Sequence, residues 1–213
     1  MGRLLLVRHG QASWGADDYD VLSPLGHQQA AALGEIWRHR GLTPDSVVIG
    51  GMRRHRETCE AAGLVADEVD PGWDEFDHLM MLARVPAPEG ADSDPRIFQE
   101  WFEVACQRWL AGDHDDYDES FVAFTDRVAG ALTRVAARSG TTAVFTSGGA
   151  IAWAVAALLA DDMPARQGLW NRLNRVCANT GVTHLVSGRR GVSMVSFNEH
   201  THLEGASELI SYR

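Results

Sequence analysis

Short apolar runs alternate along the chain with segments whose apolar residues recur at helical spacing. The runs cover residues 3–7, 46–49 and 142–145, and each ends at a charged or glycine-rich segment. Continuous apolar runs of this length are typical of buried strands. Two further runs, residues 182–186 and 192–197, flank a Gly-Arg-Arg-Gly turn and predict a β-hairpin.

Segments with helical spacing lie between these runs. Ser23, which precedes a proline, predicts the start of a helix, and Gly41 predicts its end. Further helices are predicted over residues 53–66, 98–109 and 121–135 and in the apolar stretch after Gly149. Strands that alternate with helices favour an α/β fold, a three-layer α/β/α sandwich. Its sheet is expected to be mostly parallel, with an antiparallel edge strand from the hairpin.

Charge and composition narrow the function. The 19 basic residues of this 213-residue chain are all arginine, so enzymes that need a catalytic or phosphate-binding lysine are excluded. A net charge of -10 argues against a nucleic-acid partner. Three widely spaced cysteines form no CxxC pair and indicate a reducing compartment. The longest apolar stretch is too short for a bilayer and no signal peptide is recognised, so a cytoplasmic protein without a membrane partner is expected.

Unusual polar residues follow three of the predicted strands. They are Arg8-His9-Gly10, Arg53-Arg54 after two glycines, and Ser147-Gly148-Gly149. Ligands of parallel α/β sheets bind beyond the carboxyl ends of the strands. A neutral histidine is a competent nucleophile, and arginine offers a forked donor for phosphate oxygens. The sequence therefore predicts a phosphate-handling site where these three loops meet.

Four motifs in this order resemble the phosphoglycerate mutase-like branch (branch 1) of the histidine phosphatase superfamily. They occupy residues 4–11, residues 22–30, residues 53–58 and residues 198–203, so the resemblance spans nearly the whole chain. It implies a phosphoglycerate mutase-like fold and a phosphomonoester hydrolase that works through a phosphohistidine. Such an enzyme needs no metal and no cofactor, and its partner is a small phosphorylated substrate or inorganic phosphate.

The resemblance also implies a role for individual residues. His9 would accept the phosphoryl group, and Arg8 and Arg54 would hold its oxygens. Substrate contacts are expected from three further residues, namely Gln11, Ser147 and Gly148.

The resemblance implies a glutamate after the third strand as proton donor, and the best match is the segment Trp73-Asp74-Glu75-Phe76. Glu75 is the best match to the family's glutamate, and Asp74 and Asp77 are the alternatives.

The chain departs from the family pattern at two positions. Ser147 stands where the family has a second histidine, and Gly15 stands where many members place an asparagine. A serine hydroxyl can donate to a phosphate oxygen but carries no charge. The lost charge-assisted contact could slow the reaction by roughly 10²-fold. Spare histidines near the motifs could compensate; His78, three residues from Glu75, is the first to test, ahead of His55, His200 and His202.

Other readings of the same motifs remain open. A phosphoglycerate mutase would use the same nucleophile, a phosphoprotein phosphatase would differ in its leaving group, and a phospho-ligand binding protein would have lost turnover with its second histidine. The chain is expected to form one domain over residues 1–213, with a helical insertion over roughly residues 79–139. An exposed sheet edge or the apolar helix could support a homodimer.

Overall fold

A computed structural model describes residues 1–13, 20–112 and 116–212. Six strands and seven α-helices are found in this part of the chain. The strands are β1 (Gly2–Arg8), β2 (Ser46–Ile49), β3 (Glu68–Val69), β4 (Gly140–Thr146), β5 (Val182–Gly188) and β6 (Gly191–Glu199). The helices are α1 (Pro24–His39), α2 (Arg53–Ala61), α3 (His78–Leu82), α4 (Pro95–Leu110), α5 (Phe121–Ala136), α6 (Gly148–Leu159) and α7 (Met163–Val176).

The six strands form one sheet in the order β3-β2-β4-β1-β5-β6. The strands β3, β2, β4 and β1 pair in parallel. The pair β5-β6 is antiparallel, and β5 also runs antiparallel to β1. The predicted α/β fold with a mostly parallel sheet is therefore confirmed, and the predicted hairpin forms one edge of the sheet.

Side-chain alternation along the strands gives the sheet two apolar faces. Leu5 and Val7 of β1, with Val47, Ile49 and Phe145, pack against α1 and α2 in one buried cluster. Their sequence neighbours in β1, Leu4 and Leu6, point to the opposite face, since successive side chains alternate. Both are fully buried, and α6 contacts β1 on that side. Helices thus cover both faces, as a three-layer sandwich requires.

The predicted element boundaries were accurate where a capping signal was present. Ser23 caps α1, and its hydroxyl accepts a hydrogen bond from the Gly26 amide at 3.1 Å. The helix predicted to continue to residue 66 instead ends at Ala61. Gly63, with φ of +75°, takes the left-handed conformation that terminates helices there. Sequence analysis missed the two-residue β3, the five-residue α3 and the largely polar α7.

The chain divides into two compact units, one of residues 1–75 and 128–213 and one of residues 76–127. The first unit contains the whole sheet. The second has its own aromatic cluster, in which Phe76, Trp109 and Phe124 lie within 5.8 Å of one another by ring centroids. A single domain with an insertion over residues 79–139 stays a prediction.

None of the helices in the described part of the chain combines the length and apolarity that a bilayer-spanning segment needs.

Close packing of α1 against the end of α2 depends on Gly34. A Cβ added to Gly34 would lie 2.1 Å from the carbonyl oxygen of Ala62, so Gly34→Ala requires a backbone shift. We expect Gly34→Ala to lower the free energy of unfolding by about 1–3 kcal/mol. Gly168, in α7, is the matched control, because a Cβ there meets nothing within 4 Å. Gly168→Ala should stabilise the protein by up to about 1 kcal/mol through helix propensity. Urea unfolding of both variants measures the difference, and equal stabilities would contradict this account.

Candidate active site

Three strands end at the same level of the sheet and bring their loops together. Arg8, the last residue of β1, pairs with Thr146, the last residue of β4. Ile49, the last residue of β2, pairs with Phe145. The pairing continues for one more step, since the His9 amide donates to the Thr146 carbonyl at 2.8 Å. The segments that follow these strands, with the predicted site residues, therefore meet at one edge.

His9 is held from several directions. Its side chain is buried, and its carbonyl accepts from the Asn179 side-chain amide at 3.0 Å. The ring nitrogen Nδ1 lies 2.7 Å from the carbonyl oxygen of Gly10. A carbonyl only accepts hydrogen bonds, so Nδ1 carries the proton and the lone pair of the neutral ring is on Nε2. This tautomer leaves Nε2 as the nucleophilic atom.

The surroundings of His9 favour its neutral form. Burial is the main reason that the pKa of His9 lies well below 6.5, and the positive charges of Arg54 and Arg8 lower the pKa further. The neighbouring His55 acts in the same direction. An imidazole that stays neutral keeps the lone pair that a nucleophile needs.

The two arginines of the predicted clamp approach His9 from different elements. Arg54 lies in the first turn of α2, is 7% exposed, and donates from Nη1 to Asp20 Oδ1 at 2.7 Å. Arg8 donates from Nη1 to the carbonyls of Cys177 and Tyr212. A Cβ added to Gly148 would lie 3.4 Å from Arg8 Nε, so the guanidinium lies against the start of α6.

Ser147 is the residue before α6 and is fully buried. It takes the N-cap position, yet its side chain makes no capping hydrogen bond to the helix. Its hydroxyl instead lies 2.7 Å from Nε2 of His55, which is also fully buried. The His55 ring lies beside that of His9, with 5.9 Å between centroids. A histidine from α2 is thus joined to the serine at the end of β4.

The three acidic candidates have different surroundings. Glu75 Oε2 accepts from the Gly149 amide at 3.0 Å, which places the carboxylate at the positive N-terminal end of α6. Asp74 accepts from the Gly51 amide. Asp77 caps α3 in the second unit by accepting from the Leu79 and Met80 amides.

Gln11 lies beside the first turn of α1. Its amide donates to Gln29 Oε1 at 2.8 Å, and its side-chain oxygen accepts from the Ser23 hydroxyl at 2.9 Å. The structure thus joins Gln11 to the second motif, and a substrate contact for it stays a prediction. Gly15, the second departure from the family pattern, lies outside the described residues.

The other spare histidines have different partners. His202 Nε2 lies 2.8 Å from the Thr180 hydroxyl, and burial lowers its pKa to about 4. His200 Nδ1 lies 2.7 Å from the Asn198 carbonyl. His78, the residue chosen first from the sequence, begins α3 in the second unit. Among the described histidines, it is His55 whose ring the structure places beside His9.

Two residues that sequence analysis missed make hydrogen bonds to the backbone of Arg8 and His9. Asn179 donates to the His9 carbonyl, and the Thr180 amide donates to the Arg8 carbonyl at 3.0 Å. Thr180 has φ of +58°, a conformation that costs energy for a β-branched residue and that is concentrated at functional sites. Both residues lie about 170 positions after His9, so the sequence around His9 gave no indication of these contacts.

No group of three or more histidine, cysteine, aspartate or glutamate side chains arranged to hold a metal ion occurs among the residues that the structure describes. Among the described residues, Arg54 and Arg8 are the cations whose charges lower the pKa of His9. Their charge and the N-terminal end of α6 together make the carboxyl ends of the parallel strands suited to bind an oxyanion.

Comparison with known proteins decides the family. The sequence model of the histidine phosphatase superfamily (branch 1) matches residues 4–200. The chain belongs to branch 1 of the histidine phosphatase superfamily. The predicted family is thereby confirmed.

A curated relative of this histidine phosphatase superfamily member is a 2,3-bisphosphoglycerate-dependent phosphoglycerate mutase from Chelativorans sp. (strain BNC1). The two are 36% identical over 77 residues, which are 32% of this chain and 37% of the mutase. The match thus spans little more than a third of the relative's length.

Solved structures share the fold over nearly the whole chain. Bacillus stearothermophilus YhfR has a TM-score of 0.70 at 17% identity, covering 96% of this chain and 100% of its own. An Entamoeba histolytica phosphoserine phosphatase mutant in complex with phosphoserine has a TM-score of 0.68 at 19% identity, with 95% and 100% covered. A mycobacterial glucosyl-3-phosphoglycerate phosphatase in complex with inorganic phosphate has a TM-score of 0.62 at 23% identity, with 92% and 97% covered. The predicted phosphoglycerate mutase-like fold is confirmed.

Burial of neutral histidines makes stability depend on pH. The pKa values of His9 and His55 lie well below 6.5 in the folded protein, whereas the unfolded chain takes up these protons near pH 6.5. The unfolded state then binds more protons below pH 6.5, so stability falls as the pH drops. We expect each residue to remove about 1 kcal/mol of unfolding free energy between pH 7.5 and pH 5.5.

Urea unfolding in phosphate-free buffer at the two pH values measures this loss. The His9→Gln variant should lose less stability than the wild type, because one of the two buried imidazoles is gone. Equal unfolding free energies at both pH values in the wild type would contradict neutral burial of these rings.

Proposed function

We propose that this member of the superfamily hydrolyses phosphomonoesters through a phosphohistidine on His9. The observation that carries the proposal is the geometry of His9 itself. Its Nδ1 proton is engaged by the Gly10 carbonyl, which directs the lone pair to Nε2, and two arginine charges act on the same ring. A nucleophile fixed in this tautomer beside cationic groups fits in-line attack on a phosphoryl group.

The first step forms a phosphorus–nitrogen bond and breaks the ester bond. His9 Nε2 attacks phosphorus while Arg8 and Arg54 donate to the phosphoryl oxygens and stabilise the developing charge. In the resting site these arginines donate to Asp20 and to two backbone carbonyls, so the substrate competes for their donors. The leaving oxygen takes a proton from the acid. The product alcohol then departs and leaves phosphohistidine.

The second step releases inorganic phosphate. Water attacks the phosphohistidine, the phosphorus–nitrogen bond breaks, and the electron pair returns to Nε2. The carboxylate that gave its proton in the first step accepts one from this water. We assign this role to Glu75, because its contact with the Gly149 amide fixes it at the start of α6, next to Ser147 and Gly148.

Small phosphorylated metabolites are the substrate class that we propose. The neighbours include proteins described as acting on phosphoserine and on glucosyl-3-phosphoglycerate. The net charge of -10 disfavours long polyanions as substrates. The two arginine charges that act on His9 suit a single phosphate group.

A phosphoglycerate mutase is the second candidate, favoured by the 77-residue match to the Chelativorans enzyme. A mutase would return the phosphoryl group to another hydroxyl of the same acid, whereas a phosphatase transfers it to water. Incubation with 3-phosphoglycerate separates the two, because the mutase gives 2-phosphoglycerate and the phosphatase gives glycerate and inorganic phosphate.

The nucleophile assignment predicts the effect of His9→Ala. Without Nε2 no phosphoenzyme can form, so kcat with p-nitrophenyl phosphate should fall by at least about 10³-fold. His39→Ala is the matched control, because this histidine is exposed at the end of α1 and should leave the activity unchanged. Release of p-nitrophenol is followed with chelator present. Turnover by His9→Ala at the wild-type rate would refute the phosphohistidine mechanism.

The proton-donor assignment predicts a dependence on the leaving group. Glu75→Gln cannot protonate the leaving oxygen, so hydrolysis of an alkyl phosphate such as phosphoserine should slow by about 10²–10⁴-fold. p-Nitrophenolate leaves without a proton, so its release from Glu75→Gln should slow much less. Asp74→Asn and Asp77→Asn are the comparison variants. If either of these, rather than Glu75→Gln, shows the difference between leaving groups, that aspartate is the donor.

A further inference from the structure

The buried hydrogen bond between His55 and Ser147 has no part in the mechanism described so far. Both side chains are fully buried, and 2.7 Å separates Nε2 from the hydroxyl oxygen. Serine at an N-cap position normally uses its hydroxyl to cap the helix, which stabilises the fold. Ser147 makes no such bond, and its hydroxyl contacts the ring of His55 instead. The contact therefore replaces a capping bond that a purely structural serine would make.

The backbone around His55 is shaped to admit its ring. A Cβ added to Gly50 would lie 2.3 Å from His55 Nδ1 and 2.9 Å from Asp74 Oδ1. Any other residue at position 50 would thus displace the imidazole or the carboxylate. The ring also lies beside that of His9, at 5.9 Å between centroids. The pair therefore lies next to His9, with His55 on α2 and Ser147 between β4 and α6.

We propose that His55 and Ser147 act as one unit on the bound phosphoryl group, in which the Ser147 hydroxyl donates to a phosphoryl oxygen and His55 takes up a proton as the anion binds. The inference rests on the proposed function, because it concerns the same phosphate. Ser147 is the contact residue, and His55 is a positioning residue that acts through it. No covalent bond changes in this step, and the proton comes from solvent.

The direction of the hydroxyl proton explains why the imidazole matters. A neutral ring whose Nε2 lacks a proton accepts from Ser147, and the hydroxyl hydrogen then points at His55. An imidazolium donates from Nε2 to the Ser147 oxygen, and the hydroxyl hydrogen is then directed to another acceptor. In the tautomer whose proton is on Nδ1, protonation of His55 at Nε2 therefore turns Ser147 from a donor to histidine into a donor to phosphate.

The charges around His55 determine whether its ring is protonated before or after an anion binds. The described groups that face the ring are Arg54 on its own helix, His9 at the end of β1 and Asp74 beyond Gly50. Burial, with Arg54 adding to it, keeps the pKa of His55 well below 6.5 in the resting site. A phosphoryl dianion next to Ser147 would favour the charged ring. A protonated His55 would thus supply the positive charge that Ser147 lacks. It would act on the substrate through the Ser147 hydroxyl.

The first test measures proton uptake on anion binding. Sulfate is the probe, because it remains a dianion from about pH 5 to about pH 8, where a histidine changes charge. Isothermal titration calorimetry in buffers of different ionisation enthalpy reports the protons bound per sulfate. The wild type should take up protons, and its affinity should fall as the pH rises. His55→Gln, which retains a side-chain amide, should lose this uptake and bind sulfate about 10- to 100-fold more weakly below pH 6.

His9→Gln is the control for the source of the proton. It should still take up protons when sulfate binds, because His55 remains. Uptake that persists in His55→Gln and disappears in His9→Gln would overturn the proposal, and so would a wild type that binds no sulfate or binds it without proton uptake.

The second test asks whether the two residues act as one unit. His55→Gln and Ser147→Ala should each lower kcat/KM by about 10- to 100-fold, and the double variant should be no worse than the single variants. Ser147→His introduced into His55→Ala should restore activity, because it returns a histidine to the end of β4. Additive losses, or no rescue in a variant with wild-type unfolding free energy, would contradict the paired role.

The outcomes separate this inference from the proposed function. Proton-linked sulfate binding with no turnover of any phosphomonoester would refute hydrolysis and retain the role of the pair in anion binding. Turnover that depends on His9, with no proton linkage and full activity in His55→Gln, would retain hydrolysis and refute the role of the pair.

Discussion

The parallel pairing of β1 with β4 is the constraint on which the site depends. Its register brings Arg8 level with Thr146 and continues into the hydrogen bond from the His9 amide to the Thr146 carbonyl. This register places His9 beside Ser147 and the start of α6. A shift by one residue would reverse which face every β1 side chain occupies, because side chains alternate along a strand. The buried residues on both faces of β1 therefore fix the geometry of the chemistry as well as the core.

Local sequence was sufficient for the parts of the site that follow strands. The run ending at Arg8-His9 and the run ending at Ser147 are recognisable because an apolar strand stops at residues that a loop would not otherwise require. Contacts made by distant residues carried no such signal. Asn179 and Thr180 support the His9 backbone from the far end of the chain, and His55 meets Ser147 across 92 positions. Helical α7 was missed because its surface is largely polar.

The sequence favoured His78 over His55 as the histidine that compensates for Ser147. That choice used proximity in sequence, which does not report the direction of a side chain. His78 is three residues from Glu75, whereas His55 directly follows Arg54 on a helix. Adjacent residues of a helix point about 100° apart, since each turn holds 3.6 residues. Arg54 and His55 therefore contact different groups. Arg54 donates to Asp20, and His55 forms a hydrogen bond with Ser147. The packing of α2 against the strand ends determines that the side chains of both Arg54 and His55 lie near His9.

Positive charge acts at this site although the chain as a whole is acidic. The net charge is -10, yet the charged side chains that shift the pKa of His9 are the cations Arg54 and Arg8. Burial and these cations keep both histidines unprotonated, which suits a nucleophile and destabilises the folded state in acid by the same linkage. A bound dianion reverses this balance for any imidazole that it can reach through a hydrogen bond. Because linkage is reciprocal, a site that gains a proton on binding phosphate must bind phosphate more tightly when protons are plentiful. In the proposed role of His55, the substrate itself would supply the charge that compensates a protonated imidazole.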